Sequence, residues 1–238
     1  MSRRKSKDYR AVFRAIDDLL PQRAAVLEFV ADFETGMWKG IREVYPGLPI
    51  KGCCFHWNQA VWRKVQELGL AQQYLNDDGT CKFIKKIFAL PFLPAEHVEA
   101  AFDGLRRATQ VPGLVTLLDY VDRTWMRSSV WSVDAWSVFN QSVRTNNDVE
   151  GWHHRLNHRA LGTAPPFYKL IPMLHNEARL IPLICRFVSE RKMRRRQRKA
   201  FVDVQGKIFQ LWGRYTAGGV STSRFLSACG KLYAPVAH

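Results

Sequence analysis

Four groups of residues have the types and spacing for chemistry. Asp32 ends a short apolar, β-branched stretch, AVLEFVAD, residues 25–32. A carboxylate at the carboxyl end of a strand stands where open α/β sheets place functional residues, and it offers a hard oxygen to Mg²⁺ or Mn²⁺. The competing role is to cap the following helix, and spacing alone favours it. Glu150 lies in RTNNDVEGWHHRLNH, residues 144–158, three positions after Asn147. The same two roles compete there, metal ligand or capping-box partner. Cys53 and His56 form a Cys-x-x-His spacing that offers two ligands to zinc. A closed zinc site takes about four ligands, and only His153, His154 and Cys81 stand as weak completions. The spacing therefore speaks against zinc and for hydrogen bonding at a strand-to-helix turn. The last group is SERKMRRRQRK, residues 189–199, with Arg191, Lys192, Arg194, Arg195, Arg196, Arg198 and Lys199. Most such runs are solvated helix faces, but the excess of Arg over Lys tilts this one toward phosphate contact.

The chain as a whole must position these groups. Its 238 residues suit one domain with an appendage, and 47% hydrophobic content allows a packed core. No apolar run is long enough to span a membrane, and the basic start MSRRKSKDYR is not followed by the apolar segment of a secretory signal. Lys and Arg total 36 against 21 Asp and Glu, a formal net charge of +15, which suits a polyanionic partner. Five cysteines, an odd number, point to a reducing intracellular compartment, with Cys81, Cys185 and Cys229 expected as core thiols.

Hydrophobic periodicity gives the order of elements. Tyr9, Val12, Phe13, Ile16 and Leu19 predict a helix over 6–20. A strand over 25–32, a helix over ETGMWKGIREVY, a second strand over 48–54 and a helix closing at Gly69 follow. Short connections between alternating strands and helices imply parallel strands and an α/β class. Beyond residue 75 the pattern turns helical, with a loop of some extended structure at 131–143 and a helix from about 147. Pro172 and Pro182 should kink or interrupt the helical pattern after Pro166, and Ser221 should open a last helix.

Taken in order, these motifs resemble the Mutator-like (MULE) transposase domain of animal proteins. The residues that carry the resemblance are Asp32–Glu34 after a strand, then Gly52, Cys53, Phe55, His56 and Gln59 with Trp62-Arg63-Lys64 behind them. A helical block and Arg144–His153 complete the series. The resemblance runs from about Tyr9 to residue 160, and YTAGG and FLSACGKLY resemble the family's tail more loosely. It implies an incomplete RNase H-like core over 1–160 with a helical insertion at about 76–143, and a basic helical extension over 161–238. It also implies DDE chemistry on DNA, in which carboxylates hold two Mg²⁺ or Mn²⁺ ions for in-line attack on a phosphodiester. By position Asp32 matches the second carboxylate and Glu150 the third. Cys53 and His56 match a Cys-x-x-His element with a structural or site-supporting role.

The family's first Asp belongs on a strand upstream of the first helix. Asp8, Asp17 and Asp18, the only aspartates before Asp32, all fall in a helical pattern. The expectation is therefore an N-terminally truncated, nuclear transposase domain that does not cut DNA alone. A non-catalytic DNA-binding protein and a helical scaffold are the alternatives.

Overall fold

The computed structural model describes residues 4–22, 25–145, 147–160, 165–190 and 199–234. Helix dominates, and the described residues form one sheet of two strands. The order is α1 (Ser6–Leu19), β1 (Phe29–Ala31), α2 (Thr35–Val44), β2 (Ile50–Gly52) and α3 (Cys54–Glu67). Then come α4 (Ala71–Asn76), α5 (Asp78–Phe88), α6 (Ala95–Arg107), α7 (Pro112–Val121) and α8 (Val133–Trp136). The chain closes with α9 (Asn147–Ala160), α10 (Phe167–Ser189), α11 (Lys199–Thr216) and α12 (Thr222–Tyr233). Two compact units result, Met1–Thr145 with Val204–His238, and Asn146–Asp203.

In the first unit β1 and β2 run parallel, with Phe29 opposite Ile50, Val30 opposite Lys51 and Ala31 opposite Gly52. The alternating pattern of strand and helix therefore gives the right order and direction, but each strand is only three residues long. The cause is local. Pro49 has no N–H to give a ladder, and α3 starts two residues after Gly52, so only three positions of β2 can pair. Helix α2 makes the crossover and buries Trp38 and Ile41. Helix α1 lies close against it, because a Cβ at Gly40 would stand 2.8 Å from Cβ of Tyr9.

The main core joins Trp57, Val61 and Val65 of α3 to Ile84, Ile87 and Phe88 of α5 and Leu117 and Leu118 of α7. Ile208 and Trp212 of α11 and Phe225 of α12 complete it. Burying each of the large aliphatic and Phe side chains contributes about 1.5–3 kcal/mol. Trp212 also donates its indole N–H to the Phe92 carbonyl at 2.8 Å, so the large ring is buried without an orphaned donor. A smaller cluster of Ala31, Trp38, Ile41, Tyr45, Ile50 and Ala135 wraps the sheet, and Phe33 and Trp131 pack on both clusters.

The segment 131–143 is mostly loop, with extended backbone at Ser132 and Ser137, and holds one short helix, α8, whose single turn buries Ala135 and Trp136. In the second unit α10 runs through Pro172 and Pro182 without ending. Each proline forfeits one backbone hydrogen bond, and the turns on either side carry the helix across. That unit is held by Glu177, which accepts from the Trp152 indole at 3.2 Å and pairs with Arg159. Cys185, expected in a core, is exposed on α10, as are Leu180, Ile181, Leu183 and Ile184.

Candidate functional site

The ends of the two strands bring three side chains together. Asp32 directly follows β1, and the Trp38 indole holds its backbone carbonyl at 2.7 Å. Cys53 directly follows β2, and its N–H donates to the Ala31 carbonyl at 2.9 Å. Cys53 is also the residue from which α3 starts, and His56 sits in the first turn with its N–H on the Cys53 carbonyl at 3.0 Å. One ligand-capable atom from each of Asp32, Cys53 and His56 lies within 4.8 Å of the other two. His56 Nδ1 is 2.9 Å from Asp32 Oδ1. Asp32 is not the cap of α2. Glu34 occupies that position, without a side-chain cap bond, and the Asp32 carboxylate turns toward α3 instead.

Gly52 fixes the approach of the two strand ends. A Cβ there would stand 2.1 Å from the Phe33 ring, so Phe33 can cover the end of β2 only because residue 52 has no side chain. Phe33 is braced in turn by an edge contact with Trp125 at 4.6 Å between ring centres. Residue types at 32–33 and 52–56 thus set the site through packing as well as through their chemistry.

A cleft of about 390 Å³ opens over this cluster. Asp32 and His56 line it, with Gln59 and Arg63 from the same face of α3 and Glu34 from the start of α2. Thr124 and Trp125 reach it from a π-helical turn, Asp122–Met126, that extends α7. Such turns recur at functional sites. The Tyr9 hydroxyl donates to Glu34 Oε1 at 2.6 Å. Burial first, and then the Glu34 carboxylate, push the Tyr9 pKa up to about 12, so the phenol remains a donor at neutral pH. Among the described residues that line the cleft, Asp32 faces His56 and Glu34 faces Tyr9. Asp8 and Asp17 are engaged elsewhere, Asp8 with the Lys5 N–H and Asp17 with the Tyr45 hydroxyl.

Arg144, the first residue of the second motif, is 4% exposed. Its guanidinium stands 5.7 Å from the ring centres of Phe92 and Trp212 and 5.9 Å from that of Tyr233. One nitrogen donates to Gln205 Oε1, and the Arg144 carbonyl accepts from Cys54 N–H at 2.9 Å. Burial lowers its pKa. Arg144 thus ties α3, α11 and α12 into one core, a role that nothing in its local sequence signalled. Burial also raises the pKa values of Cys54 and Cys229, that of Cys229 to about 12, which makes both inert thiols.

In the second unit Glu150 is exposed in the first turn of α9. Asn147, expected as the capping residue, is the first residue of α9. His153 and His154 are exposed on α9, and Cys81 hydrogen-bonds with Tyr74 on α4. Arg191, Lys192, Arg194, Arg195, Arg196 and Arg198 lie outside the described residues, and Lys199 opens α11.

No family model, no curated protein and no solved structure matches the chain. The donor set must then speak for itself. Mg²⁺ and Mn²⁺ are held by carboxylate, carbonyl and water oxygens, whereas thiolate and imidazole suit softer ions. Among the described residues the side chains grouped at Asp32 are one carboxylate, one thiol and one imidazole, a softer set than the oxygen shells of Mg²⁺ and Mn²⁺.

Proposed function

We propose that the chain is a transposase-derived module, of the Mutator-like kind its motifs resemble, that binds DNA without cutting it. The observation that carries this reading is the arrangement at the strand ends. Asp32 follows β1 of a parallel β–α–β unit, and among the described residues it groups with a thiol and an imidazole, its carboxylate 2.9 Å from His56 Nδ1. Two-metal phosphodiester chemistry needs carboxylates that bridge ions about 3.5–4 Å apart. The other carboxylate of the cleft, Glu34, is taken up by Tyr9. Binding needs less. A formal charge of +15 and the run at 189–199 give the electrostatic attraction, and about six neutralised phosphates produce a steep loss of affinity with salt.

The test uses the purified full chain with supercoiled plasmid and a short duplex in Mg²⁺ and then in Mn²⁺. The expected result is duplex binding that weakens steeply with salt, with no nicking. Nicking abolished by Asp32→Ala would restore a catalytic reading, and absence of salt-sensitive binding would leave the scaffold alternative.

A further inference from the structure

We infer that Asp32, Cys53 and His56 form a binding site for a tetrahedral transition-metal ion of the zinc class, with the fourth position open to the cleft. This does not depend on the DNA-binding reading. The first support is the donor set. A carboxylate oxygen, a thiol sulfur and an imidazole nitrogen are the three ligand types that zinc takes, and mononuclear zinc sites with three protein ligands keep a fourth position for water or substrate.

The second support is spacing. Metal–ligand bonds of about 2.0–2.3 Å place the ligand atoms of a tetrahedral ion roughly 3.3–3.8 Å apart. The three atoms here all lie within 4.8 Å of one another, and the His56–Asp32 pair is already at 2.9 Å. Small side-chain rotations close the first gap and open the second, with no movement of strand or helix.

The third support is how the site is layered. Cys53 is wholly buried, while the side chains of His56 and Asp32 are 21% and 40% exposed and line the cleft. An ion entering from the cleft meets imidazole and carboxylate first and thiol beneath them. The open coordination position then faces the cleft, which Gln59 and Arg63 also line.

The fourth support is rigidity. The ligands are fixed by the parallel register, by the Trp38 bond to the Asp32 carbonyl and by Phe33 lying on Gly52. Sites whose ligands are held by packing and outer hydrogen bonds bind metals tightly, and loss of one outer partner costs about 10–100-fold in affinity. The sequence concealed this site because its third ligand is not near Cys-x-x-His in the chain. It comes from the neighbouring strand, 21 positions before Cys53.

The experiment is titration of the metal-stripped full chain with Co²⁺, followed by ultraviolet and visible absorption. One equivalent should bind, with the intense visible bands of four-coordinate cobalt and a near-ultraviolet thiolate-to-cobalt charge-transfer band. Zn²⁺ should displace it, and excess Mg²⁺ should not. Cys53→Ser should abolish the charge-transfer band. Asp32→Asn and His56→Gln should each weaken binding by more than about tenfold, since they remove direct ligands. His56→Gln sits on a half-exposed helix position, so it keeps the test informative if Cys53→Ser fails to fold, as judged by circular dichroism. No cobalt binding, binding without a thiolate band, or binding unchanged in His56→Gln would each overturn the proposal. No DNA enters the assay, so its failure leaves the DNA-binding reading standing.

Discussion

The two residues singled out as carboxylate ligands sit in very different surroundings. Asp32 is held at the meeting of two strands and a helix, with its carbonyl bonded to Trp38, its carboxylate beside His56 and a core of stacked aromatic rings behind it. Glu150 is exposed on α9, in a unit of helices whose longest member leaves Leu180, Ile181, Leu183 and Ile184 uncovered. The lesson is that Asp32 is held in place by strand pairing and core packing, whereas Glu150 lies exposed on a helix. Preorganisation of this kind is what gives a site affinity.

That contrast can be broken from the core outward. Trp57 is wholly buried, stacked on Trp136 at 4.7 Å and edge-on to Trp125 at 4.8 Å. Trp57→Ala should lower unfolding stability by about 3–5 kcal/mol, measured by chemical denaturation. Gly52→Ala should come next, at about 1–3 kcal/mol, because the added methyl overlaps the Phe33 ring. It should also weaken metal binding with every ligand residue intact. A Gly52→Ala protein with unaltered stability and metal affinity would show that the strand ends are looser than described. Leu180→Ala in the second unit should change stability by no more than about 0.5 kcal/mol, since the side chain is already exposed. A larger loss would mean that a partner surface covers α10 in solution.

A further expected effect is one of pH. The Tyr9 pKa is raised from 10.0 to about 12, so the folded chain holds this proton more tightly than the unfolded chain does. Its stabilising contribution is complete below the unfolded value and is lost as the pH climbs through the folded one. Tyr9→Phe should flatten the fall in stability between pH 10 and about 12, read from thermal unfolding.

Much of the first unit was legible in the sequence, and the reasons are specific. Tyr9, Phe13, Trp38, Ile41, Trp57 and Val61 repeat at helical spacing, and the strands between those helices are short and apolar. Parallel pairing follows from the helix between them. Strand length was not legible, because it depends on where Pro49 and the start of α3 stop the ladder. The role of Asp32 was not legible either. Local rules make it a helix cap, and only the strand register turns it toward His56. Arg144 was concealed for a similar reason. It reads as one more cation in a basic chain, yet three aromatic rings from distant segments enclose it. Helix α10 shows another case, continuing through Pro172 and Pro182 where local rules allow either a kink or an interruption.

The central claim is that strand pairing gathers one mixed donor set, Asp32, Cys53 and His56, beside the cleft. X-ray absorption at the zinc edge of the zinc-loaded full chain tests it directly. The account predicts four-coordinate zinc with one sulfur at about 2.3 Å and nitrogen or oxygen in the remaining positions. A shell of oxygen and nitrogen without sulfur, or a chain that takes up no zinc, would contradict it.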